Sequence, residues 1–241
     1  MNNLVDLHTR IEMEWSDKYK RPSRAGHTRS FGWPNPLIDP ARPVFFTELS
    51  RHLNTCLRLG TLKTPISVCD IGAGAGRGVF EFARLFKRVA RIVLLDPNPH
   101  LVESAQRMIE THRGKASSFD AIRYVCSNVE EFCGEVFEFV SCLNLIDRHS
   151  SPRRLYRHLF EMVKPSGYLL LASPLDFKNH ITALNERVKC ITELLEGDDW
   201  EVRFLTDLPY EVREGRVWLR FASQLLLARK TERNDRRTSS E

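Results

Sequence analysis

The chain lacks most signals of a membrane, secreted or metal-binding protein. None of its apolar runs approaches the ~20 residues a spanning helix needs, so no membrane partner is expected. The first residues, MNNLVDLHTRIEMEW, carry Asp6, Glu12 and Glu14 and have no apolar centre, which argues against a secretory signal. The six cysteines form no CxxC pair, and the eight histidines form no HxxxH or HxH pair. Zinc and disulfides are therefore not expected, and no metal is assigned. Cys69, Cys126 and Cys142 lie in apolar runs and read as buried, reduced thiols. That points to an intracellular compartment, the cytoplasm first, with mitochondria left open.

A strong charge of one sign is also missing. Lys plus Arg total 36 against 31 Asp plus Glu, a formal +5. Much of the surplus sits in two stretches, Lys18 to Arg29 and the last twelve residues, where it reads as a solvated face. What is present is globular material: 42% apolar and 28% charged over 241 residues, enough for a sizeable core.

Three stretches follow from the patterning. Residues 1–64 read as a helical and irregular extension, with an amphipathic helix at Leu4–Trp15 and helical spacing from Phe45 to Leu59. The basic, proline-rich Lys18–Pro43 segment reads as a lid over cofactor or substrate. Residues 65–230 alternate strand and helix, and residues 231–241 read as a disordered tail. Strands are expected at 66–71, 91–96, 121–126, 137–145 and 168–173, with helices at 79–87, 99–112 and 152–163 between them. Ser151-Pro152 supplies an N-cap and a first-turn proline, and Lys164–Gly167 reads as a turn. This alternation means parallel strands with crossover helices, an α/β doubly wound sheet. Trp200–Leu205 and Arg216–Lys230 then read as two strands too close for a crossover helix, hence an antiparallel hairpin.

The sharpest local signal is Val68-Cys69-Asp70-Ile71-Gly72-Ala73-Gly74-Ala75-Gly76-Arg77-Gly78. A strand runs into glycines that permit a tight turn and close approach of a ligand to the backbone, and then into a helix. Asp96, closing the next strand, suits ribose hydroxyls. Asp70 before the loop disfavours an anionic phosphate and suits an amine. S-adenosylmethionine has an ammonium, a sulfonium and ribose hydroxyls but no phosphate, so charge favours it over a dinucleotide.

DIGAGAG, the acid at Asp96 and the terminal hairpin resemble the class I S-adenosylmethionine-dependent methyltransferases across about residues 65–230. The resemblance implies a Rossmann-like, seven-stranded doubly wound sheet. It implies that Gly72, Ala73, Gly74 and Gly76 cradle the methionine part, with Asp70 on the same side. Asp96 with Pro97 would hold the ribose, and Asn128 and Val129 would line the adenine. Asn144 would also reach the cofactor.

The acceptor in such enzymes binds after the fourth strand. Here that run is Ser141-Cys142-Leu143-Asn144-Leu145-Ile146-Asp147-Arg148, not the DPPY or NPPY type, which argues against a nucleobase substrate. SCLNLIDR, KPSGYLLLASP and LTDLPY resemble the DREV-type protein histidine methyltransferases. The chain departs from them at Pro174–His180, where that family has a proline- and aromatic-rich segment. The resemblance implies N-methylation of histidine in a flexible protein or peptide segment, with Asn144, Asp147 and Tyr210 at the acceptor. A carboxylate accepting the imidazole N–H would fix the tautomer and stabilise the imidazolium that forms. Two other readings stay open: a small-molecule or different protein N-methyltransferase, and a methyltransferase-fold subunit that does not catalyse.

Overall fold

The computed structural model describes residue 49 and residues 51–53, 65–86, 88–116, 118–214 and 217–231, with backbone only at 115–116, 209–214 and 217–221. The expected helix at Leu4–Trp15, the Lys18–Pro43 segment, Cys56 and the residues after 231 lie outside these. Residues 49 and 51–53 are helical, inside the expected Phe45–Leu59 helix.

Seven strands form one sheet in the order β3-β2-β1-β4-β5-β7-β6. They are β1 (Ile66–Ile71), β2 (Val89–Asp96), β3 (Ile122–Cys126), β4 (Phe137–Leu143), β5 (Val163–Ser173), β6 (Trp200–Glu214) and β7 (Val217–Lys230). Strands β1 to β5 pair in parallel, while β7 runs antiparallel between β5 and β6. Helices α1 (Gly78–Leu85) and α2 (Pro99–Thr111) follow β1 and β2, and α3 (Pro152–Met162) follows β4. The expected doubly wound sheet with its terminal hairpin is the observed one.

The core lies on both faces, because alternate residues of a strand point to opposite sides. Ile66, Val68, Leu170, Ala172, Leu225 and Leu227 face α1 and α2 with Val79, Phe82 and Ile109. Cys69, Ile71, Leu169, Leu171 and Leu226 face α3 with Leu155, Leu159 and Met162. The central strand β1 is covered on both faces, and all six of its residues are buried, Ser67 and Asp70 included.

Three local differences from the sequence reading have physical causes. The fourth strand stops at Leu143 instead of running to 145, because Asn144 takes a left-handed backbone (φ 56°) that Asn tolerates better than most residues. Lys164–Gly167 does turn, but inside β5. Phe137 pairs with Val163 and Phe139 with Tyr168, so the extra residues loop out and pairing resumes. Cys69 and Cys142 are buried as expected, whereas Cys126 is exposed, because it closes the edge strand β3. Ser151 caps α3 as expected, its Oγ accepting from Arg154 N–H at 3.4 Å.

Candidate active site

The carboxyl ends of β1, β2 and β4 meet at the glycine loop. Gly72, Gly74 and Gly76 all have positive φ (68°, 54° and 78°). The loop is tied down on the β2 side. Gly72 and Ala73 N–H donate to Leu95 O at 2.8 and 3.1 Å. Gly74 N–H donates to Asp96 Oδ2 at 2.9 Å, and Asn98 N–H to Asp96 Oδ1 at 2.9 Å. Each Asp96 oxygen thus accepts one backbone N–H and keeps a lone pair for a further donor. Burial pushes the Asp96 carboxyl up, and the two N–H bonds oppose that rise.

Asp70 lies deeper, 3% exposed, and accepts a hydrogen bond from Ser141 Oγ on β4. Its other oxygen sits against Gly78, where an added Cβ would be 2.7 Å away. Burial raises its carboxyl to about 7, the Ser141 bond opposing the rise and the charge of Asp96 adding to it. Two buried acids beside an open glycine backbone repel an anion and suit a ligand with an amine and hydroxyls. That is the chemistry of S-adenosylmethionine, so the residues fit this cofactor.

The expected adenine side is placed less inwardly. Asn128 is exposed and its Nδ2 donates to Glu131 Oε1 at 3.2 Å. Val129 is buried in the core, and Pro97 is exposed at the end of β2.

The expected acceptor side begins where β4 ends. Leu145 packs on the glycine loop, its Cδ2 lying 2.9 Å from where a Cβ on Gly72 would stand. Asn144 N–H donates to Ala172 O of β5 at 2.7 Å, and its Oδ1 accepts from Ser223 Oγ of β7 at 3.0 Å. Asp147, on the turn Ile146–Arg148, is fully buried. Its Oδ1 accepts from Ser173 Oγ of β5 at 3.1 Å. Burial pushes its carboxyl up, against the Arg148 charge and the Ser173 bond. Asn144 Nδ2 and Asp147 Oδ2 are both buried and have no hydrogen-bond partner. Among the described residues Arg148 Nε pairs with Oδ2 as an ion pair at 3.7 Å, beyond hydrogen-bond range. The site therefore presents one unused donor and one unused acceptor beside the glycine loop. Tyr210 lies on β6 opposite Phe221, and its side chain is outside the described residues.

The structure brings Asp70, Gly72, Gly74, Asp96, Asn144 and Asp147 to one end of the sheet. The sequence reading missed Ser141, Ser173 and Ser223. Each is a lone hydroxyl beside apolar residues of its strand, with nothing local to mark its partner. Among the described residues no group of His, Cys, Asp and Glu could hold a metal ion, and no helix is long and apolar enough to cross a membrane.

A family described as "Methyltransferase domain" matches residues 45–224. The chain is 27% identical over 177 residues to the mitochondrial ubiquinone biosynthesis O-methyltransferase of Schizosaccharomyces pombe, covering 71% of this chain and 54% of that protein. The protein of the same name from Saccharomyces cerevisiae is 24% identical over 131 residues, covering 54% and 40%. The chain thus spans about half the length of the curated relatives it matches. Among solved structures it resembles the N-methyltransferase NodS from Bradyrhizobium japonicum in complex with S-adenosyl-L-homocysteine. That likeness has a TM-score of 0.57 at 16% identity, covers 83% of this chain and 92% of NodS, and concerns the fold.

Proposed function

Because the chain belongs to this methyltransferase-domain family, with S-adenosylmethionine as its cofactor, we propose that it methylates a small-molecule acceptor held at the end of β4. When bound, S-adenosylmethionine supplies an electrophilic sulfonium methyl. The glycine loop gives its backbone to the methionine part, Asp96 accepts from ribose hydroxyls, and Asp70 faces the ammonium. Asn128, Val129 and Pro97 remain proposed for the adenine edge.

The observation that carries the acceptor site is the pair of buried atoms without a hydrogen-bond partner, Asn144 Nδ2 and Asp147 Oδ2. Nδ2 donates to a lone pair of the acceptor. Oδ2 takes the hydrogen bond, and then the proton, of the acceptor's O–H or N–H. Burial raises the Asp147 carboxyl, which makes it a stronger base than an exposed carboxylate. A pair so deeply buried suits a compact head group. The two fungal relatives, named as O-methyltransferases of ubiquinone biosynthesis, support a small acceptor.

A second reading is methylation of protein histidine. It is favoured by the SCLNLIDR run, and by Asp147 Oδ2, which would accept the N–H of a neutral imidazole and leave its single lone pair to attack the methyl. None of the relatives described above carries that activity in its name. One experiment separates the two readings. The full chain is incubated with methyl-labelled S-adenosylmethionine and cell extract, which is then split into low-mass and protein fractions. Label in the low-mass fraction is expected. Label confined to protein, recovered as methylhistidine, overturns the small-molecule reading in favour of the second.

A further inference from the structure

Ser173 and Ser223 sit on neighbouring strands, β5 and β7, and both are fully buried. Each donates its hydroxyl to one side chain of the proposed acceptor site. Ser223 Oγ lies 3.0 Å from Asn144 Oδ1, and Ser173 Oγ lies 3.1 Å from Asp147 Oδ1. In both cases the bonded atom is Oδ1, and the second atom of the group has no hydrogen-bond partner, Asp147 Oδ2 having only the Arg148 charge at 3.7 Å.

A further bond sets the direction of the Ser173 hydroxyl. Leu175 N–H donates to Ser173 Oγ at 3.1 Å, which occupies a lone pair and leaves the single O–H for Asp147. Leu175 holds a left-handed backbone (φ 53°), an unfavourable state for a residue with a branched side chain. The chain therefore keeps a strained residue at the point that aims this serine.

We infer that Ser173 and Ser223 are positioning residues: each ties down one oxygen of Asp147 or Asn144 and so turns the other atom, Oδ2 or Nδ2, toward the methyl acceptor. The inference rests on the reading of Asn144 and Asp147 as acceptor-facing groups. It also narrows the acceptor to a group presenting a lone pair and an N–H or O–H together. A phenol and an enol, whose oxygen keeps a second lone pair to attack the methyl, qualify, whereas a neutral imidazole, a tertiary amine and a thioether do not. Arg148 on its own turn and the Ser173 hydroxyl favour its anion, Asp176 after β5 disfavours it, and the Cys142 thiol on β4 is close enough to feel its charge.

The test uses the full chain with S-adenosylhomocysteine bound. The Asp147 carboxyl is followed by carbon-13 NMR across pH and assigned by its absence in Asp147→Asn. Ser173→Ala raises its midpoint by about one pH unit, the worth of one hydrogen bond to a charged group. Ser173→Thr keeps the hydroxyl and returns the midpoint toward wild type. In the transfer assay with the low-mass extract fraction, the acid limb of Ser173→Ala moves up by the same amount. Ser223→Ala raises KM for that fraction several-fold, with S-adenosylhomocysteine affinity unchanged. A Ser173→Ala variant that melts normally but shows an unmoved midpoint and acid limb overturns the Ser173 inference. An unmoved KM in Ser223→Ala overturns the other half. If Asp147→Asn transfers methyl at the wild-type rate, the acceptor reading fails instead, and the NMR midpoint still decides what Ser173 does.

Discussion

Asp70 and Asp96 end adjacent strands as buried acids, yet they are held differently. Asp96 accepts two backbone N–H groups, while the Ser141 hydroxyl is the bond that opposes the rise at Asp70. Asp70 consequently titrates at about 7 in the folded chain against an ordinary value of 3.8. A folded value above the unfolded one means that the folded state keeps a proton the unfolded chain has lost. The stability linked to Asp70 is therefore complete below pH ~4 and falls away as pH rises to about 7. Asp70→Asn should remove this component, so the melting temperatures of variant and wild type should diverge between pH 4 and 7 and run parallel above. Parallel curves over the whole range would refute the assignment. Asp96→Ala removes the tie to Gly74 N–H together with the proposed ribose acceptor. S-adenosylhomocysteine should then bind at least about tenfold more weakly by calorimetry, on the scale of one or two charge-assisted hydrogen bonds. These acids were legible in the sequence because each closes an apolar run beside glycine or proline. The serines that hold Asp70, Asn144 and Asp147 were not, since a lone serine within a strand has no local signature of its partner.

At the scale of elements, the glycine loop is a junction as well as a cradle. Gly76 has φ 78°, and a Cβ there would stand 3.0 Å from Ala105 Cβ and 3.1 Å from Ile109 Cδ1 of α2. Gly76→Ala combines backbone strain of ~1–2 kcal/mol with overpacking of ~1–3 kcal/mol. It should lower the urea midpoint and weaken cofactor binding together. Weakened binding with an unchanged midpoint would mean that the loop does not brace α2. Element types were readable because periodicity, the Ser151-Pro152 cap and the glycine stop are local signals. The end of β4 was not, because Asn144 leaves the strand only where β5 and β7 supply partners for its N–H and side chain. The exposure of Cys126 was hidden for a related reason: an edge strand and an inner strand can share one apolar pattern.

For the molecule as a whole, the site is a seam between elements distant in sequence, so a ligand bridging them should stabilise the fold. S-adenosylhomocysteine at a hundred times its Kd should add ~2.7 kcal/mol, a rise in melting temperature of roughly 5–10 °C for a chain of this size. The rise should be markedly smaller in Asp96→Ala at the same concentration. An equal rise would place the ligand away from the β2 end.

The sequence by itself determined the class of sheet, the hairpin at its end and the glycine loop with its two acids, because those depend on residues close together in the chain. Tertiary structure alone decided that β4 lies between β1 and β5 and that β7 lies beside β5. That order delivers Ser141 to Asp70, Ser173 to Asp147 and Ser223 to Asn144 across separations of 71, 26 and 79 residues. A hydrogen bond between buried side chains is fixed by strand order and register, which are global properties of the packed sheet. The unused donor and acceptor of the acceptor site exist only once that packing is complete.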